Sequence, residues 1–188
     1  MATHGVDRHP TYAESGHHRA DVQTIERLMG LLCSTDPQER WWARMSLVRI
    51  GTPSVPHLIE ALKGPRECTR WEAAKVLNDL HVPRAAPALV RTLEDRSFGV
   101  RWLAAEGLIG LRRDGLAPLL EALIEQPDSA WLREGAHHVL RSLVGRGLDV
   151  HIMPVIRALE GIDPSLEVPT AASAALAELA EHARRHEL

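Results

Sequence analysis

The sequence uses few of the aromatic residues that usually fill protein cores. Its 188 residues include one Phe and one Tyr, against five Trp. Because a core normally uses Phe freely, the positions of the tryptophans carry more information than their number. Cysteine is also scarce: Cys33 and Cys68 are the two in the chain. Two cysteines make neither a disulfide framework nor a zinc site, so we expect two unpaired thiols in a reducing cytosol.

The chain also lacks a strong charge of either sign and any long apolar run. Its formal net charge is −3 and its pI is near 6.4, so no overall basic field attracts nucleic acid or anionic lipid. It has neither an amino-terminal secretory signal nor an apolar segment long enough to span a bilayer. These absences predict a cytoplasmic protein that does not enter membranes.

Signatures of catalysis are missing as well. The sequence has no Gly-rich phosphate loop, Gly-x-Ser-x-Gly elbow or His-Glu-x-x-His helix. Glu178, His182 and His186 stand four residues apart and could face a metal ion, but a solvated carboxyl-terminal turn explains them more simply. We therefore predict no catalytic residue, no metal and no cofactor, and leave open whether the protein is an enzyme.

A repeated Arg-Trp dipeptide is the most informative feature present. It occurs at Arg40-Trp41, Arg70-Trp71 and Arg101-Trp102, in steps of 30 and 31 residues. Each copy stands eight residues after a leucine, namely Leu32, Leu62 and Leu93. A fixed step of this size predicts a stack of similar units that bury their apolar faces against one another.

Each unit is predicted to be a helical hairpin. Val55, Leu58, Ile59 and Leu62 have the i, i+3, i+4, i+7 spacing of one buried helix face, and similar blocks recur along the chain. We predict five hairpins, hence ten helices and no strand, in a single domain over residues 21–188. Residues 1–20 contain four histidines and almost no apolar side chain, which predicts a disordered leader.

The blocks resemble HEAT repeats, specifically the short bacterial type first noticed in phycobilisome lyases. Residues 100–108, Val-Arg-Trp-Leu-Ala-Ala-Glu-Gly-Leu, match one half of that pattern, and residues 54–62 match the other. The resemblance extends over about residues 21–182. It implies an all-α, right-handed superhelix in which the second helix of each pair lines the concave surface.

The resemblance also implies a ladder in which an aspartate pairs with an arginine six residues later. Asp95 and Arg101 fit this pattern, whereas Arg40 and Arg70 have no aspartate at the equivalent place. We therefore expect Asp95 to pair with Arg101, and expect Arg40 and Arg70 to be available for a ligand. In the fourth unit, Leu132 stands where the arginine is expected.

Three tryptophans are predicted to lie opposite the buried helix face. On a helical wheel Trp102 lies about 200° from the core residue Val100, and Trp41 and Trp71 are equivalent to it. Neighbouring indoles on packed helices either contact a common ligand or pack flat against the next repeat, and both interpretations stay open. Trp42 and Trp131 are expected in the core.

We predict a non-enzymatic protein-interaction module that binds a protein segment or peptide on the concave face. Two alternatives remain: a lyase-like or other small-molecule enzyme with a pocket around Glu106 and His137, and nucleic-acid binding in a groove of Trp and Arg. The oligomeric state stays open. The predicted binding residues, which carry mixed charge, are Trp41, Arg44, Trp71, Lys75, Asn78, Trp102, Glu106, Arg133, His137 and Arg141.

Overall fold

A computed structural model describes residues 22–186, which form ten α-helices and no strand. The predicted leader, residues 1–20, lies outside the described residues and stays a prediction. Two short 3-10 helices, Thr52–Ser54 and Pro83–Ala85, precede α3 and α5. The α-helices are α1 Val22–Leu31, α2 Pro37–Ile50, α3 Val55–Ala61, α4 Glu67–Leu80, α5 Ala86–Thr92, α6 Phe98–Leu111, α7 Arg113–Glu125, α8 Ala130–Leu143, α9 Asp149–Leu159 and α10 Pro164–His186.

Local sequence signals fix where several of these helices begin. Asp36 caps α2 by accepting a hydrogen bond from the Gln38 amide at 2.8 Å, and Pro37 occupies the first helical position, where its missing N–H costs nothing. Ser129 caps α8 in the same way, through the amide of Leu132 at 3.1 Å. Capping of this kind satisfies amides that the helix itself cannot pair.

The first eight helices form two layers. α2, α4, α6 and α8 pack side by side in one layer, α1 packs on α3 and α5 on α7 in the other, and each helix also contacts its hairpin partner. The core between the layers is mostly leucine; its largest fully buried side chains are Leu32, Leu47, Leu58, Leu77, Leu89, Leu93, Leu108, Leu116, Leu119, Leu120, Leu123 and Leu132. This layering confirms the predicted α-solenoid.

The last hairpin enters the two layers in reverse order. α9 packs against α8, whereas α10 packs against both α7 and α9. The connection from α8 to α9 contains Gly145 and Gly147 at φ +78° and +81°, a conformation that favours glycine and lets the chain turn sharply. α10 buries the stripe Val168, Ala172, Ala175 and Leu179. α10 therefore joins the fifth hairpin to the fourth.

Cys33 and Cys68 form a disulfide, with a Cα–Cα distance of 5.8 Å, so the prediction of two unpaired thiols is wrong. The two positions are not equivalent within their repeats, which hides the pairing in the sequence. In the fold, the turn after α1 reaches the first turn of α4 across a repeat boundary. The disulfide removes the support for a reducing compartment, and a cytoplasmic location stays a prediction. No helix in the described range combines the length and hydrophobicity that a membrane span requires.

Candidate interaction surface

The fourth residue of α2, α4, α6 and α8 is an arginine, and each one fastens its helix to the preceding turn. From Nη1 each arginine donates a hydrogen bond to the carbonyl oxygen six residues earlier. The pairs are Arg40–Ser34 at 2.6 Å, Arg70–Gly64 at 3.0 Å, Arg101–Asp95 at 2.8 Å and Arg133–Pro127. The prediction that Leu132 occupies this position in the fourth unit is wrong. Arg133 occupies it, and Leu132 is buried.

The carboxylate of Asp95 pairs with Arg70 and not with Arg101. Arg70 donates from Nε to Oδ2 at 2.6 Å and from Nη2 to Oδ1 at 3.1 Å, and both side chains are buried. Hydrogen bonding to Asp95 raises the pKa of Arg70. The expected Asp95–Arg101 carboxylate pair is therefore wrong, and so is the expectation that Arg70 is available for a ligand. Asp95 turns back to the preceding repeat, where no other carboxylate of the described residues is bonded to the buried Arg70 guanidinium.

Trp41, Trp71 and Trp102 each occupy the fifth position of an even-numbered helix. They are 59%, 36% and 46% exposed, so a substantial part of each residue reaches solvent. The predicted exposure of these three tryptophans is confirmed. The predicted concavity of the face that carries them stays a prediction.

Trp42 and Trp131 are also exposed, at 45% each, so the prediction that they belong to the core is wrong. Trp42 is the sixth residue of α2. The sixth residues of α4 and α6, Glu72 and Leu103, are buried because an even-numbered helix packs on each side. α2 is the first even-numbered helix of the described range, which leaves its sixth residue open.

These side chains all lie in the first two turns of even-numbered helices. Every Trp and the single Phe lie within the first six residues of an even-numbered helix, and each is at least 36% exposed. We use the name aromatic surface for Trp41, Trp42, Trp71, Phe98, Trp102 and Trp131.

Ring contacts connect this surface between α6 and α8. The rings of Trp102 and His138 lie 4.6 Å apart between centroids, and Phe98 lies 6.3 Å from Trp102. The Arg101 guanidinium sits 4.6 Å from the Trp131 ring centroid, within cation–π range. These contacts fix the rings while leaving a large part of each residue exposed.

Glu106 meets His138, and not the expected His137. The His138 Nε2 lies 3.1 Å from the Glu106 carboxylate, and both are the ninth residues of their helices. His137 contacts Glu160 at 2.8 Å, and Arg141 lies 3.9 Å from the same carboxylate. Hydrogen bonding from His137 lowers the pKa of Glu160. Aligning α8 with α6 by their arginines, Arg133 with Arg101, would have predicted from the sequence that His138 stands beside Glu106.

The cations at the other end of the predicted site also have acidic neighbours. Lys75 bonds Asp79 at 3.2 Å, and Arg44 Nε lies 3.6 Å from Glu72 Oε2. Arg44 Nε and Glu72 Oε2 are both buried, and neither has a hydrogen-bond partner among the described residues. Burial raises the pKa of Glu72, with the charge of Arg44 opposing the shift. Asn78 is half-buried in the same layer.

Among the described residues, no group of three or more His, Cys, Asp or Glu side chains is placed to hold a metal ion. Glu178 contacts His151 at 3.2 Å, and His182 lies 6.1 Å from His151 between ring centroids. The side chain of His186 lies outside the described part of the chain. Glu178 is therefore paired with His151 of α9, a contact that the spacing of residues within α10 could not indicate.

Comparison with known families agrees with this repeat structure. The model of HEAT repeats matches residues 55–141, and the model of the PBS lyase HEAT-like repeat matches residues 39–64. Together the two matches extend over residues 39–141, more than half of the chain. The chain is a HEAT-repeat protein.

Three solved structures are similar to this HEAT-repeat protein at low identity. The complex of CpcE and CpcF of phycocyanin lyase from Nostoc sp. PCC7120 is 23% identical over 94% of this chain and 70% of that chain, with a TM-score of 0.46. An engineered protein is 21% identical over 83% of this chain and 79% of that chain, with a TM-score of 0.41. A designed armadillo repeat protein is 17% identical over 82% of this chain and 99% of that chain, with a TM-score of 0.37. No curated protein matches the sequence.

Proposed function

We propose that this HEAT-repeat protein is a non-enzymatic interaction module that binds a segment of a protein partner on its aromatic surface. The observation that carries the proposal is the placement of every Trp and the Phe at the exposed starts of four successive even-numbered helices. Second helices line the concave side of HEAT solenoids, so we propose that the segment lies inside the curve.

The energetic cost of this arrangement supports a binding role. A Trp side chain presents about 200 Å² of surface, and leaving half of it in water forgoes about 2.5 kcal/mol of burial. Stability alone does not favour repeating that loss on four neighbouring helices. Clustered exposed aromatics are the usual anchors of protein interfaces, where partner contact recovers the lost burial.

The remaining predicted site residues would form a polar rim around these anchors. Lys75, Asn78, Arg133 and Arg141 lie on the even-numbered helices that carry the surface or flank it. Such rims contribute to partner choice and to the rate of association more than to affinity. Arg44, Glu106 and His137 complete the proposed rim.

The two alternatives have weaker support. An enzyme site at Glu106 and His137 would need both groups to face one substrate, yet they turn to His138 and Glu160 respectively. Nucleic-acid binding would need cations free to meet phosphates. Arg44 and Lys75 instead lie against carboxylates, which reduces the positive potential along the surface.

Affinity capture with variants of the aromatic surface tests the proposal. Purified protein, immobilised by a terminal tag, is incubated with lysate of the source organism, and captured proteins are identified by mass spectrometry. We expect Trp71→Ala and Trp102→Ala to lose a partner that the wild type retains. Leu166→Ala, on α10 and 74% exposed, is the matched control and keeps the partner. The partner is then purified and its Kd measured; equal affinity for all four proteins would contradict the proposal.

A further inference from the structure

Two clefts open beside tryptophans of the aromatic surface, and carboxylates line both. The first cleft has a volume of about 620 Å³ and is lined by Asp36, Pro37, Gln38, Glu39, Trp41 and Trp42. The second cleft, of about 310 Å³, is lined by Leu32, Arg40, Glu67, Cys68, Trp71 and Glu72. They belong to the first and second repeats, so they adjoin successive even-numbered helices.

The first cleft favours a cation. Its lining residues include the exposed carboxylates of Asp36 and Glu39, and neither Lys nor Arg is among them. Asp36 accepts the amide of Gln38, and Glu39 accepts the hydroxyl of Ser34, so no cationic side chain of the described residues is bonded to either carboxylate. Carboxylates next to an indole attract an ammonium or guanidinium group through charge and through the ring face.

The second cleft contains an acceptor that lacks a hydrogen bond. The Glu72 side chain is 8% exposed, and its Oε2 has no hydrogen-bond partner; the nearest cationic atom is Arg44 Nε at 3.6 Å. Arg40 also lines the cleft with its Nη1 bonded to the Ser34 carbonyl, and its one positive charge stands against the two carboxylates of Glu67 and Glu72. A buried carboxylate oxygen without a donor is costly, and a cationic N–H entering the cleft would supply one.

We propose that the protein segment bound on the aromatic surface is basic, with one Lys or Arg side chain seated in each cleft beside Trp41 and Trp71. This inference rests on the proposed function and adds the chemistry of the partner. Packed helices lie about 8–10 Å apart, and an extended chain advances about 3.3 Å per residue. The two basic residues of the partner should therefore stand about three residues apart.

Binding of synthetic peptides, measured by fluorescence anisotropy, tests the charge and the spacing. One labelled peptide carries lysine at every third position among serines. A second has the same composition with its lysines adjacent, and a third has glutamate in place of lysine. We expect the spaced lysine peptide to bind most tightly and the glutamate peptide to bind at least tenfold more weakly, a difference of about 1.4 kcal/mol. Equal binding of the lysine and glutamate peptides would overturn the proposal.

Carboxylate variants test whether the clefts are responsible. Glu39→Gln, Glu67→Gln and Glu72→Gln should each weaken the spaced lysine peptide about tenfold, since each removes one partner of a charge-assisted contact. Glu121→Gln, an exposed carboxylate of α7, is the matched control and should leave the affinity unchanged. Far-UV dichroism verifies folding; should Glu72→Gln fail to fold, the two exposed positions still decide the matter. Unchanged affinity in both exposed variants refutes seating in the clefts.

The two proposals fail in different ways. A captured partner that depends on Trp71 and Trp102 but not on Glu39 or Glu67 would overturn the basic segment and leave the interaction module standing. Capture that ignores the tryptophans would overturn the module itself, whatever the peptides do.

Discussion

Removing the Cys33–Cys68 disulfide tests how the first hairpin is held to the rest of the solenoid. The bridge joins the turn after α1 to the first turn of α4, across a sequence separation of 35 residues, and so encloses all of α2 and α3. The double variant Cys33→Ser/Cys68→Ser removes the link while keeping two side chains of similar size. Reduction of the wild type gives the same change without a substitution.

The size of the effect follows from the loop that the bridge closes. The chain-entropy relation gives about 4 kcal/mol of stabilisation for a loop of this length. The first hairpin needs that contribution more than the others, because α1 buries few side chains, chiefly Ile25 and Leu28. Each repeat in a solenoid is stabilised mainly by its neighbours, so the loss should fall on the first hairpin described.

Native-state hydrogen exchange measures this loss helix by helix. We expect the amides of α1 and α2 to lose up to about a thousandfold of their protection in the double variant, the equivalent of about 4 kcal/mol. The amides of α6 and α8, outside the bridged loop, should change little. Urea unfolding followed by far-UV dichroism gives the global counterpart.

Two results would refute the reasoning. Thiol titration of the unfolded, unreduced protein should find no free thiol, and finding two would mean that the bridge is absent. If the bridge forms but its removal leaves the exchange of α1 and α2 unchanged, then neighbouring contacts alone hold the first hairpin. In that case the loop-closure estimate does not apply to this chain.

Three further predictions follow from the buried and exposed side chains. Arg70→Ala leaves the buried carboxylate of Asp95 without its partner and should cost about 3–5 kcal/mol in urea unfolding, whereas a loss below about 1 kcal/mol would contradict a buried pair. Burial raises the pKa of Glu72, so the stability provided by its protonated form is complete below the ordinary value of 4.5 and is lost as pH rises through the raised value. As the pH rises above 4.5, the wild type should therefore lose stability relative to Glu72→Gln. Urea midpoints measured across this pH range would detect the loss, and the opposite trend would exclude a raised pKa. Trp71→Ala and Trp102→Ala should each cost clearly less than the about 3–5 kcal/mol that removal of a buried Trp costs, and thermal unfolding that shows a loss of that size would place these rings in the core.

Much of the architecture could be predicted from the sequence because it depends on local spacing. The Arg-Trp step and the apolar stripes identify the helices, and Asp36-Pro37 marks the start of α2. Such signals act within a few residues, so one chain is enough to interpret them. The exposure of Trp41, Trp71 and Trp102 follows in the same way, from the position of each indole on its own helix.

The register of the fourth repeat lies at the limit of this approach. One inserted residue shifts α8 by about 100°, which puts Arg133 at the place expected for Leu132 and turns His138, not His137, toward Glu106. Alignment by leucines misses the shift, whereas alignment by arginines would have found it. The information was present, but only the packed structure indicates which residue type keeps the register.

Other features depend on contacts between repeats, and the sequence does not fix these. The disulfide joins two positions that are equivalent in no repeat pattern, and Asp95 bonds Arg70 because the offset between neighbouring helices brings them together. Trp42 is exposed because α2 is the first even-numbered helix described, and the last hairpin is reversed by its connecting loop. Helical periodicity determines the face of each helix on which a side chain lies. Tertiary packing alone decides what, if anything, covers that face.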